Sequence, residues 1–238
     1  MSRFPILPSP CDTSISLDTR SVAPGYCPDR ADGPRDIRRE VDTAGFRVVL
    51  ADPPWTFRSN SLAAPGRNPR RHYPCMTVDQ LCQLPLAERV ARNAVLFLCV
   101  PGPLLVIGAH LPLIKAWGFR PTAMGFVLVK LRPLADPTNF TLADLHTGTG
   151  FTTRKNAEYV VLCKRGKSLR RDAGVHEIIV TPRREHSRKP DELYHRIERY
   201  VGGEGPFLEL FARQSRPGWT TWGLEKNKFD PPGTSEVT

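Results

Sequence analysis

FRVVLADPPW, Phe46 to Trp55, is the stretch that decides the fold. Its first six residues are apolar but for Arg47 and carry the β-branched content of a buried strand. Pro53 and Pro54 then follow, and proline has no N–H to give a sheet ladder, so the strand must stop at Asp52. Working outward, short apolar runs alternate with helical patterns, which predicts an α/β sheet. Further strands are expected at Ala94 to Val100, Ala123 to Lys130, Ala157 to Lys164, Glu177 to Val180, Phe207 to Phe211 and Trp219 to Gly223. Thr77 with Gln80 resembles a capping box, opening a short helix through Leu84. Leu104 to Trp117 predicts one helix disturbed by Pro112. Pro190 opens another, with Leu193, Ile197, Tyr200 and Val201 on one face. Arg132 to Arg154 shows little periodicity and is longer than most connections, the mark of a functional or mobile loop. In open α/β sheets ligands bind beyond the carboxyl ends of strands, which is where Asp52 to Trp55 falls.

At 238 residues, 40% of them hydrophobic, the chain can bury one α/β core, and two full domains would be cramped. Residues 1–44 carry scattered prolines and no sustained period, and are expected to form a flexible or loosely docked arm. Residues 45–230 form the folded domain and 231–238 a frayed tail. Cys11, Cys27, Cys75, Cys82, Cys99 and Cys163 include no C-x-x-C pair and no cluster with histidine, which argues against a zinc site or any metal. Met1 to Pro10 lacks the apolar stretch of a secretory signal, and no segment approaches the ~20 apolar residues that span a bilayer. A soluble cytoplasmic protein with reduced thiols is expected. The 34 Lys and Arg against 24 Asp and Glu leave a net charge of +10, a surplus that attracts polyanions and says nothing about fold.

Six stretches, in order, resemble the MT-A family of adenine-N6 methyltransferases. They are VVLADPPW (Val48 to Trp55), HYPCMTVDQL (His72 to Leu81), FVLVK (Phe126 to Lys130), TGTGFTTRKNAEYVVLCKRGK (Thr147 to Lys167), REHSRKPDELYHRIERY (Arg184 to Tyr200) and FLELFARQSRPGWTTWG (Phe207 to Gly223). The resemblance implies a Rossmann-like class I methyltransferase fold in permuted order, with the catalytic motif before the cofactor motif. It implies S-adenosylmethionine as cofactor and Asp52, Pro53, Pro54 and Trp55 as the catalytic motif. Glu209 would bond the ribose hydroxyls and Lys189 the methionine carboxylate. Arg213 would lie beside the ribose or adenine, Phe211 would also contact the cofactor, and Asp52 would touch the methionine ammonium as well. The acid upstream of the catalytic strand is not clearly matched, with Asp36, before Ile37, as the best candidate. Tyr73, Lys130, Arg154 and Asn156 would hold the target nucleotide. One departure stands out: Ala212 follows the Glu209-Leu210-Phe211 triplet where relatives often have glycine.

These residue types suit that chemistry. The exocyclic amine of adenine is a poor nucleophile because its lone pair is delocalised into the ring. A carboxylate and a backbone carbonyl accepting its two N–H bonds would turn the lone pair toward an incoming methyl group. Prolines hold a carbonyl rigidly without adding a donor, and tryptophan offers a face on which a base stacks for about 1–3 kcal/mol. The same four residues also read as a rigid turn whose tryptophan plugs the core.

Basic patches at Arg67 to Arg71, Lys164 to Arg171 and Arg183 to Lys189 suit phosphates or, equally, a solvated face. The expected partner is nucleic acid, DNA before RNA, because the compact length and the Thr147 to Lys167 wording favour a bacterial or phage type. A duplex target would have to give up its adenine by base flipping. An RNA adenosine methyltransferase, a non-catalytic nucleic-acid-binding subunit, and an enzyme for another amine are the competing functions. Homo- or heterodimerisation stays open.

Overall fold

The computed structural model describes residues 45–56, 75–148, 153–185 and 187–231. The N-terminal arm with Asp36, the basic patch at 67–71, Tyr73 and the tail 232–238 lie outside the described residues.

Phe46–Ala51 forms β1, buried along most of its length as a strand covered on both faces should be. It is followed by α1 (Val78–Cys82), a 3-10 turn (Pro85–Glu88), β2 (Val90–Val100), α2 (Gly102–Val106), α3 (Leu111–Ala116) and β3 (Arg120–Leu131). A second 3-10 turn (Leu142–Asp144) precedes β4 (Ala157–Arg165), β5 (Ile178–Pro182), α4 (Asp191–Tyr200), β6 (Phe207–Leu210) and β7 (Trp219–Trp222). The predicted strands are all present, with ends shifted by a few residues.

Two helix expectations need correction. The capping box exists, with Gln80 N donating to Thr77 Oγ1 at 3.2 Å and Thr77 N to Gln80 Oε1 at 2.9 Å. Its helix nevertheless ends at Cys82, because Leu84 precedes a proline and takes the extended backbone that position favours. Leu104 to Trp117 is two helices rather than one. Gly108 turns the chain in the left-handed region at φ 70°, and Pro112 sits in the first turn of α3, where a missing N–H costs nothing.

The strands form one sheet in the order β5-β3-β4-β2-β1-β6-β7. All pair in parallel except β4, which runs against both β2 and β3. The first residues of β4 therefore lie at the same edge as the last residues of β1, β2, β3, β5 and β6. Alternate residues of β1 face opposite cores. Val49 and Ala51 pack with Leu81, Leu113, Ile114 and Trp117 on the α1 and α3 side. Val48 and Leu50 pack with Leu193, Ile197 and Val201 on the α4 side. From β1 the chain moves to β2 on one side, and from β6 to β7 on the other. The crevice of such a reversal opens between the carboxyl ends of β1 and β6. This is the Rossmann-like α/β architecture that the sequence predicts. No helix among the described residues is long and apolar enough to cross a membrane.

Trp117 ties α3 to α1: it is fully buried and its indole donates to Leu81 O at 3.1 Å. Trp117→Ala is expected to lower the unfolding free energy by about 3–5 kcal/mol. Urea titration followed by circular dichroism would measure it, and a loss below about 1 kcal/mol would contradict this packing.

Candidate active site

Asp52 follows the last residue of β1, and its amide donates to Leu210 O of β6 at 3.4 Å, holding the crevice walls together. Its Oδ2 lies 2.7 Å from Lys189 Nζ. The Lys189 side chain is only 8% exposed, so its charge must be answered inside the fold. A second carboxylate, Glu158 near the start of β4, lies 3.4 Å from the same nitrogen. Glu158 also accepts a hydrogen bond from Lys130 of β3. Desolvation alone would lower the Lys189 pKa, but Asp52 and Glu158 outweigh it and raise it well above the ordinary value. Desolvation pushes the Glu158 carboxyl up, and Lys189 and Lys130 reverse that, bringing it down to about 2. The result is a charge chain Lys130–Glu158–Lys189–Asp52 across the carboxyl edge.

Beside it a narrow cleft is lined by Ser187, Lys189, Tyr194, Glu209, Arg213 and Arg216. Glu209 of β6 is 5% exposed. Its Oε1 accepts from the Tyr194 hydroxyl at 2.8 Å, while Oε2 is buried without a hydrogen-bond partner among the described residues. Burial pushes the Glu209 acid up to about 7; the Tyr194 bond opposes this and the nearby Asp52 charge adds to it. Tyr194 is itself fixed, with the Arg216 guanidinium 3.9 Å from its ring centroid and Trp219 edge-on at 5.5 Å.

Asp52, Lys189 and Glu209 meet at the carboxyl edge of the sheet. Arg213 lines the cleft, with its guanidinium paired to Glu225. Phe211 turns its ring toward Trp222 and the core, at 5.5 Å, and not into the cleft. Phe211 also carries the left-handed backbone of this turn, at φ 63°, so Ala212 after it has no need to be glycine. Lys130 is held by Glu158, and Asn156 donates to His146 O at 2.9 Å, closing the base of the long loop. Arg154 is exposed, three residues before β4.

Trp55 requires a correction. It is 4% exposed, packs in the core, and donates from its indole to Cys99 O at 2.9 Å. The ring is a plug that fixes the motif from behind, so no face remains for a base to stack on. The proline carbonyls are also partly engaged: Pro53 O accepts from Trp55 N and Pro54 O from Met76 N, each at 2.8 Å. Each carbonyl keeps one lone pair.

Two residues of the site were missed in the sequence, Glu158 and Tyr194. A lone acid among the apolar residues of AEYVVLC, one position into a strand, was the available signal for Glu158.

The buried Oε2 of Glu209 suits the adjacent hydroxyls of a ribose, and Lys189, which lines the same cleft, suits an amino-acid carboxylate. The residues present therefore fit S-adenosylmethionine, and fold and site together define a methyltransferase with its catalytic strand before its cofactor strand. The chain belongs to the MT-A70 family, whose model matches residues 46–225. Methyltransferases of this family use S-adenosylmethionine as methyl donor. Among curated relatives, the type II methyltransferase M.MunI of Mycoplasma sp is 26% identical over 81% of this chain and 83% of its own length. The human N(6)-adenine-specific methyltransferase METTL4 is 30% identical over 77% of this chain and 38% of its own length. The catalytic subunit METTL3 of the human N(6)-adenosine-methyltransferase is 30% identical over 86% of this chain and 33% of its own length. The chain thus spans most of M.MunI and a minor part of the two human relatives.

Two predictions follow from this geometry. If Trp55 is a plug, Trp55→Phe removes the bond to Cys99 O and costs about 1–3 kcal/mol in stability. A variant of unchanged stability but weakened substrate binding would instead restore the stacking role. The second concerns pH. A folded-state value raised from 4.5 to about 7 means that Glu209 contributes stability fully below about 4.5, lost as pH rises through about 7. Ribose hydroxyls donate to the ionised form, so cofactor binding runs the other way. Calorimetric affinity for S-adenosylhomocysteine should fall as pH drops below about 7, by up to about tenfold per unit, and Glu209→Gln should abolish that slope. A native affinity flat across that range would contradict it.

Proposed function

We propose that this chain transfers a methyl group from S-adenosylmethionine to the N6 amine of adenine in DNA. The observation that carries this is Asp52 at the carboxyl end of β1, held by buried Lys189 at 2.7 Å beside the Glu209 cleft. When bound, S-adenosylmethionine supplies a sulfonium methyl group together with its thioether leaving group. Everything else falls to the chain. Lys189 occupies Asp52 Oδ2, which leaves Oδ1 to accept one N–H of the amine. The free lone pair of a proline carbonyl in the motif accepts the other. Both hydrogen bonds draw the nitrogen toward tetrahedral geometry, and the new C–N bond forms as the S–C bond breaks. The surplus N6 proton leaves through Asp52, whose side chain is 28% exposed to water. Trp55 and the two prolines keep this constellation from shifting. Positioning of the two reactants supplies most of the rate.

For a duplex target the adenine must leave the stack, since N6 is engaged in pairing. Arg154 and Lys155 are exposed just before β4, which starts at the carboxyl edge, and they suit flanking phosphates. The near full-length match to a type II methyltransferase supports DNA. The likeness to METTL3, and to an N6-methyladenosine RNA methyltransferase of Cryphonectria parasitica, favours RNA as the second reading. The meeting of Asp52, Lys189 and Glu209 supports an active enzyme over a supporting subunit. A cytoplasmic setting accords with this function.

The test is label transfer from S-adenosylmethionine to one adenine-containing sequence, offered as DNA and as RNA. N6-methyladenine should form in DNA, and Asp52→Ala should lower its rate by about a hundredfold or more. Higher transfer to RNA would replace the substrate. Transfer to neither would sink the function.

A further inference from the structure

The cations of this chain fall into two populations. Around the active site they are mostly paired: Lys130 and Lys189 with Glu158, Arg184 and Arg216 with Asp191, Arg188 with Glu185. At the opposite edge of the sheet they are not. Arg92 near the start of β2, Arg120 at the start of β3, Lys164 near the end of β4, and Lys167 and Arg170 just after it have no carboxylate partner among the described residues. All but the half-buried Lys164 are exposed.

The sheet itself brings these charges together. Because β4 is reversed, its basic end KRGKSLRR lies beside the amino ends of β2 and β3, away from the active site. Arg120 stands directly across from Lys164, and Ala94, two residues past Arg92, across from Arg165. Like charges directly opposed on neighbouring strands are destabilising, yet no acid separates them. The nearest acids are committed elsewhere, Glu204 to Arg47 and Arg171, and Asp172 to Arg199. Among the described residues, Glu88 before β2 and Glu177 before β5 are acids without an ion pair, too few to neutralise this end.

We propose that this edge is a second nucleic-acid-binding surface, which takes the phosphate backbone of a segment other than the one presenting its adenine. Arg92 and the carboxyl end of β2 are eight residues apart, about 26 Å at ~3.3 Å per residue, and face opposite ends of the sheet. DNA stiff over about 150 bp does not double back across that distance. The second contact therefore comes from a distant part of a long molecule or from another molecule, and it tethers the enzyme between target sites. The chemistry recognised is a row of phosphates, with no base readout.

The test uses the full chain and an Arg120→Gln/Lys164→Gln/Arg170→Gln variant, matched first for thermal melting. Binding of plasmid-length duplex is followed against salt, and methylation is followed on that duplex and on one well below the persistence length. The slope of log affinity against log salt should fall by about 2–3 in the variant. Its kcat/KM on the short duplex should stay unchanged, while KM on long DNA rises about threefold or more as the affinity term is lost. An unchanged salt slope overturns the proposal. So does an unchanged DNA slope joined to lost binding of phosphatidylserine vesicles, which would give the edge to a membrane surface. The proposal builds on nucleic acid as substrate, but the salt slope reads it even where no methylation occurs, so the two fail separately.

Discussion

Lys189 places an ammonium group where little water reaches it, and the site is organised around answering that charge. An unpaired buried ion costs several kcal/mol, so the Asp52 and Glu158 carboxylates at 2.7 and 3.4 Å are a condition of folding as well as of chemistry. They arrive from different strands, β1 and β4, while Lys189 comes from the segment between β5 and α4. The edge of the sheet can therefore close only when these segments are in register. The same ammonium tempers Glu209, whose acid would otherwise be pushed up further by burial and by Asp52.

The reversed strand has consequences at both of its ends. At its start it delivers Glu158 to the carboxyl edge, where an all-parallel sheet would have put the end of a strand instead. At its finish it delivers Lys164 and Arg165 to the amino edge, alongside Arg92 and Arg120. One topological choice thus puts the ion pairs of buried Lys189 at one edge and exposed Arg92 and Arg120, which have no carboxylate partner among the described residues, at the other.

Much of this was legible in the residues. Apolar runs ended by proline or followed by basic turns marked the strands, and Asp52, Lys189 and Glu209 stood out once their segments were placed in order. What failed to show was direction. Nothing in AEYVVLCKR says that β4 runs backwards, so neither the place of Glu158 at the carboxyl edge nor that of the basic run after it at the opposite edge could be read. Trp55 was ambiguous for a different reason: a tryptophan beside two prolines serves equally as a platform or a plug, and only the position of Cys99 O on the neighbouring strand decides. Tyr194 was not among the apolar positions read for α4; it is buried in the core there, and its hydroxyl reaches past the core to Glu209. The break between α2 and α3 followed from a glycine whose left-handed backbone no periodicity reveals.

That the site depends on the Lys189 charge chain is most directly tested by a double-mutant cycle on unfolding free energy, pairing Lys189→Met with Asp52→Asn. Each single change leaves a partner uncompensated, so the double variant should lose less than the two losses added, by more than about 1 kcal/mol. Losses that add to within about 0.5 kcal/mol would show the two groups to be independent, and would contradict the account.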